Sequence, residues 1–156
     1  MHTNNATIRW TRGDDPFANQ KYSRGHRWEF DEGVTIPASA SPHVVSAPWS
    51  VPAAVDPEEA LVAALASCHM LFFLSDASRG GFIIERYEDP AVGEMGRDAS
   101  GRIAMKKVTI RPRVTFSGTA PSTAEFAALH AGAHEQCFIS NSVKSEVVID
   151  PVLLQS

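Results

Sequence analysis

Two cysteines, Cys68 and Cys137, are the residues whose types could carry chemistry, and three readings fit them. They can be small core hydrophobes, as free cysteines often are. They can belong to a metal site: His130 and His134 stand at i and i+4 on one helical face with Cys137 following, a set that offers zinc three ligands and no clear fourth. The same two histidines are equally explained as solvated helix residues. In the third reading the two thiols meet in the fold and cycle through a disulfide. Two cysteines in 156 residues are too few for a disulfide scaffold. The N-terminus lacks the charged-then-apolar pattern of a signal peptide, so a cytosolic location is expected, with the thiols free, metal-bound or redox-active.

The redox reading needs a thiolate. A cysteine with a pKa of about 8.5 is only roughly 3% ionised at pH 7, and lowering that pKa to about 6 takes about 3.4 kcal/mol. Burial in apolar surroundings pushes the other way. One cation at about 4 Å is worth on the order of 4 kcal/mol at an effective dielectric near 20, enough to reverse the sign. Arg24 is the candidate. In residues 21–30, Tyr22, Arg24, His26, Trp28 and Phe30 alternate with Ser23, Gly25, Arg27 and Glu29, which predicts a strand with the aromatic set and Arg24 facing inward. Arg27 then faces outward, unless a bulge at Gly25 breaks the alternation. A carboxylate is expected to aim the guanidinium.

The element that must position Cys68 is residues 56–81. From 60 to 74 the run is apolar except for Ser67, Cys68 and His69, and its wheel carries apolar residues all round, which predicts a helix buried on every side. Asp56 and Pro57 give a start signal, Glu58 and Glu59 suit the positive end of the dipole, and Gly80-Gly81 ends the helix. An apolar run of about 15 residues is short of the roughly 20 a bilayer needs, so a core helix and no membrane anchor is expected. His69, about 100° round the wheel from Cys68, reads as a packing or interface residue.

Strands are predicted at residues 6–10, 34–36, 82–88, 91–95, 146–149 and, with Pro112 as an edge or bulge, 102–116. Asp31-Glu32-Gly33 reads as a hairpin turn, and the proline-rich stretch 37–55, with Trp49, as a long loop. Ser122 with Glu125 is a capping box opening a helix whose stripe is Phe126, Leu129, Ala133 and Cys137. The order of elements predicts one α+β domain spanning residues 1–156, with antiparallel hairpins packed on helices. A helix buried on all sides needs more cover than one small sheet, so a homodimer is inferred. The net charge of -4 and the lack of a basic stripe argue against a nucleic-acid partner.

Asp56-Pro57-Glu58 through Ala66-Ser67-Cys68-His69, joined to His134-Glu135-Gln136-Cys137-Phe138-Ile139-Ser140-Asn141-Ser142, resembles the OsmC/Ohr family of osmotically induced and organic-hydroperoxide-resistance proteins. The likeness extends over about residues 21–149. It implies an OsmC-like α+β fold, an intertwined homodimer with antiparallel sheets around long buried central helices. It also implies a thiol peroxidase that reduces organic hydroperoxides without cofactor or metal and is recycled by an external dithiol. On that resemblance Cys68 is the peroxidatic cysteine, Cys137 the resolving cysteine that forms a disulfide with it, Glu58 the active-site glutamate and Arg24 the arginine, with Arg27 in reserve. Ten helical residues separate Glu58 from Cys68 by roughly 15 Å, so either the Arg24 and Glu58 pair reaches the thiol across the dimer interface or the helix starts later than Glu58. His69 and Phe138 stand where the hydroperoxide-resistance branch commonly has phenylalanine and proline. A non-catalytic dimer binding a small apolar ligand, or sensing redox state, is the alternative.

Overall fold

A computed structural model of the chain describes residues 2–154 and divides it into two compact units, Met1–Ala60 and Leu61–Ser156. The first unit is an antiparallel sheet in the order β1 (Ala6–Arg9), β2 (His26–Phe30), β3 (Thr35–Ala38). The register sets Ile8 opposite Trp28 and Trp28 opposite Ile36. The β2–β3 connection is the expected tight one, a single 3-10 turn at Asp31–Gly33 with Glu32 and Gly33 at positive φ. The predicted strand 21–30 is shorter than its pattern: alternation starts at His26, after Gly25, and Phe30 at its end is exposed. Arg24 therefore lies in the approach to β2, where its backbone N–H donates to the Trp49 carbonyl at 2.8 Å. The proline-rich stretch is a loop, as expected, although its first two residues, Pro37 and Ala38, complete the edge strand β3.

The second unit is built on α1 (Pro57–Arg79), whose first turn closes the first unit, and on α2 (Thr123–Gln136). Both starts follow the local chemistry. The Glu59 N–H donates to Asp56 Oδ1 at 2.8 Å, and the Asp56 N–H reaches Glu59 Oε2. Ser122 and Glu125 form the reciprocal capping box. After Arg79 the chain turns at Gly81, φ 79°, with the Phe82 N–H returning to the Ala77 carbonyl.

At 23 residues α1 is longer than its apolar run, and on length and composition alone it could cross a bilayer. Its packing is that of a core helix. Leu65, His69, Phe73 and Ala77, each four residues on, make one fully buried stripe. Burial on every side is not what one chain provides: Leu71, for instance, is 60% exposed.

Two three-stranded sheets complete this unit. One runs β4 (Ile83–Glu88), β7 (Arg113–Ser117), β9 (Val152–Leu154); the other runs β5 (Val92–Arg97), β6 (Ile103–Ile110), β8 (Glu146–Ile149). The predicted strand 102–116 is two strands, because Arg111-Pro112 breaks it between sheets: proline cannot donate to a ladder. β8 and β9 divide in the same way at Asp150-Pro151 and run parallel to β6 and β7, so the sheets are mixed and not purely antiparallel. The Asp150 N–H donates to the Ile110 carbonyl at 2.8 Å and the Val152 N–H to the Pro112 carbonyl at 2.7 Å, carrying the pairing across both breaks.

The core falls into two clusters. Phe73, Val114, Phe116, Phe126 and Ala133 make one, and Leu65, Val108 and Ile110 the other. Gly93 on β5 is a close approach: a Cβ there would stand 2.6 Å from Val62 Cγ2 of α1 and 2.7 Å from Met105 Sδ. That bare backbone lets helix and sheet meet.

Candidate thiol site

Cys68 sits in mid-α1 and Cys137 is the C-cap of α2, where the Cys137 N–H still reaches the His134 carbonyl at 3.3 Å. The two thiols are neighbours, with Cys137 fully buried and Cys68 half-buried. The loop after α2 is held tightly. The Ser140 N–H points at Cys137 Sγ at 3.4 Å, the Asn141 N–H donates to the Cys137 carbonyl at 3.0 Å, and Ser142 Oγ donates to the Phe138 carbonyl at 2.7 Å. Asn141 Nδ2 reaches back to the Glu135 carbonyl at 3.0 Å. These bonds account for Asn141 and Ser142 in the Cys-x-x-Ser-Asn-Ser pattern, whose side chains fix the turn, whereas Ser140 contributes its backbone N–H and its buried hydroxyl has no partner.

The loop so fixed brings the backbone amides of Ile139 and Phe138 near the Cys68 sulfur. Burial pushes the Cys68 thiol above its ordinary range, the Ile139 amide opposes that, the neighbouring Cys137 adds to it, and the Phe138 amide opposes it again. The balance favours the thiol. The Phe72 and Phe138 rings meet edge to face at 5.0 Å beside it.

Glu58 lies in the first turn of α1, ten residues and about 15 Å of continuous helix before Cys68. Its Oε2 is buried without a hydrogen-bond partner. Arg24 is engaged inside its own unit: Nη1 donates to the carbonyls of Gln20 (2.7 Å) and Tyr22, and Nη2 to Gln20 Oε1 at 2.8 Å, while the guanidinium lies 3.7 Å over the Tyr22 ring. Those bonds hold a loop in which Phe17, Asn19 and Gln20 have positive φ. Arg24 also lines a cavity of about 520 Å³ with Trp10, Phe17, Tyr22 and His26. Arg27 is exposed on β2, facing Pro37 and Arg9 in the register.

The histidines depart from expectation. His130 is neither solvated nor free to bind metal: it is 2% exposed, and its Nδ1 hydrogen-bonds His69 Nε2 at 2.9 Å. Among the described residues no group of three His, Cys, Asp or Glu side chains is disposed to hold a metal ion. Nothing in helical periodicity pairs residues 61 apart. The available signal was a histidine inside an apolar run facing two more at i and i+4 on another helix.

A long helix carrying one thiol, a second helix closed by another, and small mixed sheets around them define a two-thiol α+β protein. Residues 51–152 match the family model for OsmC-like protein, and the chain belongs to that family. It is similar, at 51% identity and TM-score 0.95, to an OsmC-like protein of unknown function from Vibrio cholerae, over 97% of this chain and 100% of that one. The same fold is seen, at 14% identity and TM-score 0.72, in an organic hydroperoxide resistance protein from Elizabethkingia anophelis, covering 100% of this chain and 98% of that one. The organic hydroperoxide resistance protein OhrB of Bacillus subtilis shares it at 19% identity and TM-score 0.67, over 98% of each chain. No curated protein matches the chain.

Proposed function

We propose that the chain is a single-domain, cytosolic, homodimeric thiol peroxidase that reduces organic hydroperoxides. The observation that supports this reading is that Cys68 and Cys137 are neighbours, with the backbone amides of Ile139 and Phe138 near enough to the Cys68 sulfur to favour its charged form. The Cys68 thiolate attacks the distal peroxide oxygen, the O–O bond breaks, and a proton on the departing alkoxide gives an alcohol and a Cys68 sulfenic acid. Cys137 then attacks that sulfur, releasing water and forming the disulfide, and an external dithiol reduces the bridge by exchange. Phe138 and Ile139 donate hydrogen bonds to the sulfur as it carries charge.

Those two amides do not overcome burial, so a cation is needed. We assign it to Arg24, aimed by Glu58, whose Oε2 lacks a partner, with both supplied by a second copy of the chain. The exposed apolar residues of α1, such as Leu71, support that second copy, because burying them stabilises by about 25 cal/mol per Å². The apolar surroundings of Cys68 favour bulky organic peroxides over hydrogen peroxide.

The test is a free-thiol count and intact mass after one equivalent of cumene hydroperoxide or of hydrogen peroxide. The expected result is loss of both thiols with a mass decrease of about two hydrogens, faster with the organic peroxide. Two thiols still titrating after excess peroxide would leave the second reading, a dimer binding a small apolar ligand. The aromatic cavity of the first unit favours that reading, and ligand binding would then survive Cys68→Ser.

A further inference from the structure

His69 follows Cys68 on α1, and His130 precedes Cys137 by two helical turns on α2. The two imidazoles are nearly coplanar, 2° apart, and joined by the 2.9 Å bond between Nε2 and Nδ1. His130 has no freedom to choose another direction: its ring stacks on Phe73 at 4.1 Å and stands perpendicular to Phe126 at 4.6 Å. The outer nitrogens, His69 Nδ1 and His130 Nε2, are buried and without partners. Each such group carries a desolvation cost that an apolar side chain of the same shape would avoid. The pair is therefore poorly explained as a stability device.

Its effect is directional. Around it these helices pack through apolar side chains, Phe72 and Phe73 from α1 and Phe126, Leu129 and Ala133 from α2, and apolar packing does not fix a register to a fraction of an ångström. The other polar link, Gln136 Nε2 to Asp76 Oδ2 at 2.7 Å, is exposed. We propose that the His69–His130 hydrogen bond is a positioning device, holding α1 and α2 in the register at which the Cys68 and Cys137 sulfurs can bond. This rests on the thiol-pair reading above. Neither histidine touches the peroxide; they act on the ease of closing the bridge, through effective concentration.

The test is equilibrium of the full-length protein with reduced and oxidised glutathione, reading the Cys68–Cys137 disulfide by alkylation and mass, with unfolding of the reduced protein measured in parallel. His69→Leu/His130→Leu should stay folded, with stability near or above that of wild type, yet shift the disulfide equilibrium at least tenfold toward the dithiol, about 30 mV. A second comparison does not depend on that variant folding. His130→Asn places an amide oxygen near the Nδ1 position and should stay within about threefold of wild type, whereas His130→Ala should lose tenfold. Equal equilibria in all folded variants would overturn the positioning role while leaving the thiol pair intact. A wild-type protein that forms no internal disulfide in any glutathione mixture would overturn both.

Discussion

The Cys68–Cys137 junction and the Arg24 loop reach order by opposite means. Around the thiols, regular elements carry the groups: mid-helix on one side, a helix C-cap and its hydrogen-bonded turn on the other. Around Arg24 there is no regular element. Three non-glycine residues, Phe17, Asn19 and Gln20, hold left-handed backbone, and the guanidinium spends its hydrogen bonds on the carbonyls of Gln20 and Tyr22 and on the Gln20 side chain. Residues other than glycine occupy that region at a cost of the order of 1 to 3 kcal/mol only where the surroundings insist on it. The contrast teaches that the two thiols are placed by regular elements of the scaffold, whereas Arg24 is held by a loop with left-handed backbone.

The sharpest way to break this comparison is Cys137→Ser. Multiple turnover with an organic hydroperoxide should fall to background, with Cys68 accumulating as sulfinic and sulfonic acid by mass, since no partner remains to capture the sulfenic acid. Sustained turnover with a small added thiol as efficient as wild type would remove the junction from the reaction.

Acid comes next, because it attacks the scaffold alone. Burial first, and then the neighbouring histidine (His134 for His69, His69 for His130), lowers their pKa values from 6.5 to about 4 and about 3. The folded chain binds these protons less readily than the unfolded chain. Stability is therefore complete above about pH 6.5 and lost as pH falls through about 4 toward 3, by on the order of 3 kcal/mol for one such group. Urea unfolding between pH 7 and pH 4 should show this slope, and His69→Leu/His130→Leu should flatten it.

Arg24→Met probes the other region. We expect the rate of Cys68 oxidation to fall about a hundredfold, some 2.7 kcal/mol, with a smaller loss of stability, about 1 kcal/mol, from the loop contacts that the arginine makes. An unchanged oxidation rate would show that the cation comes from elsewhere. The smallest effect is that of Ser122→Ala, which removes the α2 capping box: about 1 kcal/mol less stability, with the glutathione equilibrium of the thiols unchanged. A shifted equilibrium would mean that the far end of α2 also sets the sulfur geometry.

What could be read from sequence tracks how local the determining chemistry is. The two helix starts depend on Asp56 with Glu59 and Ser122 with Glu125, each three residues apart, and both stand where expected. Val108, Ile110, Val114 and Phe116 are the buried strand residues their spacing indicates. Parallel pairing of β8 with β6, and the existence of β9, depend on residues some forty positions apart, which no local pattern records. The strand around Arg24 failed for a different reason: alternation survives in a loop, and Gly25 marks where the ladder begins rather than a bulge within it. His69, read as a packing or interface residue, is fully buried, but its hydrogen-bond partner could only be found once α1 and α2 lay side by side.

The two prolines at 112 and 151 have a mechanical consequence. Both ribbons, β6 to β7 and β8 to β9, step from one sheet to the next at the same level, and the hydrogen bonds from Asp150 to Ile110 and from Val152 to Pro112 stitch the two steps together. Load pulled on one sheet is thus shared through a double seam. Residues 146–154, which carry β8 and β9, are the thread of that seam, and cutting the chain at Pro151 would unpick one sheet's edge while leaving the other's intact.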